Sequence, residues 1–117
     1  MGLFNKKNKI QDEYDETFNK MNRDEQTKAA ERIVFMEPKN NNDLFKLCDD
    51  LKNHKPIVVN FGEMDYETAN RALAFLSGAV YTLGGRYEKL NDQIYLFAQK
   101  EEFLDGSLRE FINSLWF

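Results

Sequence analysis

Side chains able to do chemistry are present in this sequence, but not in the patterns that reacting groups need. Three acidic groups stand out: Asp49-Asp50, Glu101-Glu102, and the cluster of Glu63, Asp65 and Glu67. A hard cation wants several oxygen ligands converging from one loop. Acid–base catalysis wants a carboxyl held at its substrate with a displaced pKa. These acids stand instead where helix caps and solvated faces belong, so no metal and no acid–base role is assigned to them. Cys48 is the only cysteine, which excludes an intramolecular disulfide and a cysteine-rich zinc site. It falls among Leu44, Leu47 and Leu51 and reads as a small core side chain. His54, the only histidine, falls in a turn and reads as solvent-exposed. Gly84-Gly85 follows a helix and does not link a strand to one, so it lacks the context of a phosphate-binding loop. Tyr81, Tyr87 and Tyr95 could stack on bases as sheet aromatics do in some RNA readers, yet they lack basic companions. No enzyme and no cofactor is expected, and a small RNA-binding module is kept only as an alternative.

Composition agrees with a binding role. The 117 residues suffice for one compact domain with tails, and an apolar content of 42% supports a core. A net charge of −4, from 16 basic and 20 acidic side chains, gives no support to a phosphate-binding surface. No signal peptide or long apolar run is present, so a cytoplasmic chain without a transmembrane span is expected.

Residues 1–31 are polar and charged. Lys6, Lys7 and Lys9 accompany Met1, Leu3, Phe4 and Ile10, the makings of a short amphipathic tip on an anionic membrane surface. Lys6 occupies the place where a myristoylation signal wants Ser or Thr, which argues against lipidation. Residues 11–31, beginning with Asp12, Glu13, Asp15 and Glu16, read as a charged linker.

The elements that position everything else begin at residue 32. Arg32–Met36 is β-branched and aromatic and ends before Pro38, as a strand does. Asn40–Asn42 offer caps for a helix over 43–52, whose Leu44, Leu47, Cys48 and Leu51 form one stripe. Ile57–Phe61 reads as a second strand. Asp65 can cap a helix running to about Leu83, with Ala69, Ala72, Leu73, Leu76, Val80 and Leu83 on one face. Phe75 and Ala79 widen that face beyond what one sheet can cover. Gly84-Gly85 ends the helix, and a hairpin over 86–98 turns at Asn91-Asp92.

The result is a compact α/β domain of order β-α-β-α-β-β, with a mostly single-layer sheet and helices on one face. Its first unit should be right-handed with parallel strands. The first and last strands are apolar on both faces: Ile33 and Phe35 against Val34 and Met36, then Ile94 and Leu96 against Tyr95 and Phe97. Either a partner subunit or the C-terminal segment must cover the second face. That segment, 99–117, spaces Leu108, Phe111, Ile112, Leu115 and Trp116 as a helix does, with Ser107 and Glu110 placed as a capping box.

The run Phe75-Leu76-Ser77-Gly78-Ala79-Val80-Tyr81-Thr82-Leu83-Gly84-Gly85, with Pro56–Phe61 and Ile94–Phe97 in this order, resembles the SepF family of bacterial division proteins. The resemblance covers residues 32–98. It implies a non-catalytic homodimer, able to form polymers, that binds the C-terminal tail of FtsZ and tethers or bundles its filaments at the membrane during septum assembly. It further implies a location at the inner face of the cell membrane at the division site. The membrane tip would be Met1, Leu3, Phe4, Lys6, Lys7 and Ile10. Peptide or subunit contacts would come from Phe75, Ser77, Gly78, Val80, Leu83, Gly84, Gly85, Arg86, Lys89, Tyr95 and Phe97. A homo-oligomeric scaffold that has lost the FtsZ contact is the nearer alternative, and a terminal helix lying on the peptide surface would mark it.

Overall fold

The computed structural model describes residues 32–114. In chain order they form β1 (Val34–Met36), α1 (Asn41–Lys52), β2 (Ile57–Asn60), α2 (Tyr66–Thr82), β3 (Gly85–Lys89), β4 (Ile94–Gln99), a 3-10 turn (Lys100–Phe103) and α3 (Ser107–Asn113). The expected β-α-β-α-β-β order and the terminal helix are both present. Asn40 caps α1 by accepting from the Asp43 amide at 2.9 Å, and Asp65 caps α2 by accepting from the Thr68 amide at 2.8 Å. Each cap satisfies an amide that the first helical turn leaves without a carbonyl.

The strands lie in the order β1-β2-β4-β3, an arrangement that the sequence left open. β1 and β2 are parallel, as a β-α-β crossover connects them, and the other two pairings are antiparallel. β4 is thus central. Side chains alternate between its faces with period two, and this alternation divides the core in two.

On one face Ile57, Val59, Phe61 and Phe97 meet Leu44, Leu47 and Leu51 of α1 and Ala69, Ala72, Leu76 and Val80 of α2. Across the sheet, Ile33, Val58, Ile94, Leu96 and Ala98 meet Leu108 and Ile112 of α3, with Phe35, Phe103 and Phe111 packed at the margin. Of the two covers considered for the second face, the chain itself supplies one by folding its terminal helix back. Burial of each Leu, Ile or Val here is worth about 1.5–3 kcal/mol.

The start of α3 differs from expectation. Ser107 is not a capping-box residue. The N-cap is Gly106, in the left-handed region at φ 81°, and has no side chain to cap with. Asp105 takes that task, accepting from both the amide and the hydroxyl of Ser107 at 2.9 Å. A side chain one position ahead of the cap reaches the first helical amide because the backbone folds back at Gly106.

Two glycines carry opposite meanings. A Cβ on Gly85 would lie 2.2 Å from the Ala98 carbonyl oxygen, so β3 can approach β4 this closely only without a side chain there. Gly78, in the middle of α2, has open space where a Cβ would stand. Gly85→Ala should therefore destabilise the fold by about 1–3 kcal/mol through overpacking. Gly78→Ala should stabilise it by about 0.5–1 kcal/mol through helix propensity. Urea denaturation of the two variants checks the opposite signs.

Candidate functional site

The buried residues of α2 face the sheet, and its two flanks border grooves of different character. On the first flank, α2 and the β3–β4 hairpin enclose about 280 Å³ lined by Phe61, Tyr66, Ala69, Asn70, Leu73, Lys89, Asp92 and Tyr95. The floor is aromatic. Tyr95 packs edge-on to Phe61 at 5.7 Å between centroids and lies 5.8 Å from Tyr87. Lys89 stands at the rim, with its ammonium 3.3 Å from Asp92 in an exposed pair. Such a pair contributes little to stability, so the ammonium is available to a ligand carboxylate. Tyr66, more than half exposed, forms the opposite lip.

On the second flank, residues at and before the N-terminal halves of α1 and α2 line a groove of about 540 Å³. Leu44, Met64 and Ala72 form its floor, and Phe45 and Phe75 stand at one side, edge to face at 5.9 Å. Lys39 and Arg71 are the charged residues that line it among the described residues. Phe45 is 54% exposed and Phe75 42%, so this pair is a patch of apolar surface that α1 does not seal.

The residues expected to make contacts are thus distributed among different places. Lys89 and Tyr95 share the hairpin groove, and Phe75 lies in the other one. Ser77 is half-buried and donates its hydroxyl to the Leu73 carbonyl at 2.7 Å, while Gly78 is exposed on the outer side of α2. Val80 and Phe97 are sealed in the core at 1% and 0% exposure, and Leu83 packs against the same cluster. They support a contact surface from beneath and cannot face a partner from this fold. Gly84, at φ 79°, makes the exit from α2, and Gly85 enters β3.

Arg86 does not join Lys89. An odd offset along a strand points two side chains to opposite faces, and Arg86 lies on the α3 side. Its guanidinium stands 4.0 Å over the Phe103 ring and reaches Glu88 at 3.3 Å. Glu88 also bonds Arg109 of α3, and Arg32 bonds Glu102. Together these charges fasten the terminal segment to the sheet. Met1, Leu3, Phe4, Lys6, Lys7 and Ile10, expected to make the membrane tip, lie outside the described residues.

Sequence reasoning weighed Tyr87, 45% exposed beside Tyr95, only for base stacking and left it out of the peptide contacts, and it missed Phe45. For Tyr87 the signal was available, since it stands two residues from Lys89 on a strand. Phe45 falls outside the apolar stripe of α1 and gave none.

The described residues hold no cluster of three or more potential metal ligands and no helix long and apolar enough to cross a membrane. Cys48 is half-buried, and its thiol pKa is raised, first by burial and then by the neighbouring Asp49 carboxylate. The cap Asp65 is shifted down from the usual 3.8, chiefly by the Thr68 amide that it accepts from. A depressed folded-state pKa stabilises the fold above the unfolded value and loses that contribution as pH falls through the folded one. The stability advantage of the unaltered chain over Asp65→Ala should therefore be full at neutral pH. It should shrink below about pH 4, as measured by urea unfolding at a series of pH values.

Comparison with known proteins places this geometry. The family model described as cell division protein SepF matches residues 33–101. The cell division protein SepF of Carboxydothermus hydrogenoformans is 37% identical over 86 residues, which is 74% of this chain and 63% of that protein. That of Acetivibrio thermocellus is 42% identical over 78 residues, 67% of this chain and 50% of that protein. The match to the first of these relatives spans less than two thirds of its length. A SepF-like protein from Pyrococcus furiosus has the same fold, with a TM-score of 0.55 at 19% identity over 59% of this chain and 87% of that one. The chain belongs to the SepF family of cell division proteins.

Proposed function

We propose that this protein is a non-catalytic tether that holds the C-terminal tail of FtsZ in the hairpin groove. The observation that carries the reading is the groove itself. An aromatic floor of Phe61 and Tyr95 lies beside a rim ammonium, Lys89, on a surface that the other described residues leave open. This is what an extended peptide with an apolar anchor and a carboxylate requires. The mark of a scaffold that has lost this contact would be a terminal helix lying on the peptide surface. α3 packs on the opposite face of the sheet, so this groove is clear of it.

Tethering needs at least two such grooves acting together. A dimer supplies them, and weak contacts then add through effective concentration. Its self-contact surface is the outer side of α2, where Phe75 is exposed beside the unobstructed Gly78. The protein works in the cytoplasm at the inner face of the membrane of the division site, with the segment containing Lys6 and Lys7 touching anionic lipid. Filaments of FtsZ are then held, and bundled, at the forming septum.

Titration of the full chain with a labelled FtsZ tail peptide, followed by fluorescence anisotropy, tests the groove. Binding should saturate, and Lys89→Glu should weaken it at least about tenfold, a loss near 1.4 kcal/mol. Absence of saturable binding, or an unchanged affinity in the variant, overturns the assignment. Sedimentation tests the dimer separately. Phe75→Asp, an exposed substitution, should shift the protein toward monomer without loss of helical signal.

A further inference from the structure

The groove between α1 and α2 carries a second inference, independent of the tail reading. Both charged residues that line it, Lys39 and Arg71, are cations. Their ion pairs are loose, each at 3.9 Å: Lys39, itself exposed, with a partly buried Glu37, and Arg71 with Glu67, both exposed. Such pairs contribute little and exchange readily. Beside them the Phe45–Phe75 patch stays open to solvent. The surface therefore fits a short acidic segment with aromatic side chains.

This chain contains such a segment. Residues 11–18 read Gln-Asp-Glu-Tyr-Asp-Glu-Thr-Phe, with four carboxylates, no cation, and two aromatic rings four residues apart. Its distance from the domain is no obstacle. Residues 19–31 can extend up to about 43 Å at full stretch, and the longest axis of the domain is 38 Å. Linkage to the same chain also raises the local concentration to the millimolar range, so even a weak contact is populated. We infer that residues 12–18 dock in the α1–α2 groove of their own chain, placing Tyr14 and Phe18 against Phe45 and Phe75 and the carboxylates at Lys39 and Arg71.

The contact has a regulatory consequence. Phe75 borders both this groove and the outer side of α2. A docked linker therefore competes with any second copy that uses Phe75, and withdrawal of the linker frees that surface. Held in the groove, the linker also keeps residues 1–10 near the domain. An anionic surface that draws Lys6 and Lys7 away would pull the acidic segment out with them.

Photo-crosslinking in the full chain tests this. With Tyr14→p-benzoylphenylalanine, irradiation should join residue 14 to Phe45, Met64 or Phe75 within one chain, as mapped by mass spectrometry on mixed isotopically light and heavy protein. The double reversal Lys39→Glu and Arg71→Glu, both at exposed positions, should lower that yield at least fivefold. Reversing Asp12, Glu13, Asp15 and Glu16 to Lys in the same chain should restore it. Without any further substitution, raising the salt from about 50 to about 500 mM should lower the yield, because exposed charges are screened. Links scattered over the domain, links confined to the hairpin groove, links found only between light and heavy copies, or a yield indifferent to both charge reversal and salt would each overturn the proposal. None of these results depends on whether an FtsZ peptide binds at Lys89.

Discussion

A four-stranded sheet that is apolar on both faces must be covered twice, and the rest of this molecule follows from that demand. β2 is buried along its whole length, and β4 nearly so, with Ile94, Leu96 and Ala98 turned one way and Phe97 and Gln99 the other. Two amphipathic helices suffice for one side. The other side would leave Val58, Ile94 and Leu96 in water if α3 did not return to it. α3 is only seven residues long and could not stand alone, since short helices draw their stability from packing. It is held by Leu108 and Ile112 beneath and by Arg109 on Glu88 at the side. The sheet needs the helix for cover, and the helix needs the sheet to exist.

This mutual cover changes where self-association can draw its apolar surface. The far face of the sheet is already hidden within one chain, so unsatisfied sheet area no longer demands a partner. Apart from Leu104 in the loop before α3, the large apolar side chains left exposed among the described residues are on the helical side: Phe45 and Phe75 between the helices, Tyr81 on the outer side of α2, and Tyr66 and Tyr87 around the hairpin groove. All of these stand on or beside α2. At 1.5 Å per residue its 17 residues make a rod of about 25 Å, anchored below by Ala69, Ala72, Leu76 and Val80. One rigid element thus places both flanking grooves.

Much of this was legible from the residues. Alternation and helical spacing located the four strands and the three helices labelled among the described residues, and the parallel β1–β2 pair followed from handedness. The two-sided apolarity of the strands correctly demanded a second cover. Strand order was not legible, because inserting β4 between β2 and β3 depends on contacts far apart in sequence, such as Val58 opposite Leu96. The Ser107–Glu110 spacing pointed to a capping box, but a left-handed Gly106 let Asp105 supply the bond instead. Arg86 and Lys89 were grouped by charge although their odd spacing on a strand separates them. Distinguishing Phe75 from Val80 as a contact residue required knowing where α1 ends its cover of α2, which no periodicity reports.

The hairpin groove depends finally on register. β3 presents Tyr87 and Lys89 to the helix side because Gly85 faces Gln99 and Tyr87 faces Phe97. A slip of one residue would exchange the faces of the whole strand. Lys89 and Tyr87 would then point at α3, while Arg86 and Glu88 would enter the aromatic groove. Three features oppose that slip. Only a residue without a side chain can stand where Gly85 meets the Ala98 carbonyl, and the next residue is Arg86. Glu88 is bound to Arg109, and Arg86 lies over Phe103, both contacts possible only on the α3 side. At the hairpin end, Asn91 accepts from the amides of Gln93 and Ile94 at 2.8 and 3.0 Å and sets the turn. The terminal helix therefore does more than cover apolar surface. By holding Arg86 and Glu88 on its own side, it keeps Lys89 and Tyr87 on the other, where the groove needs them.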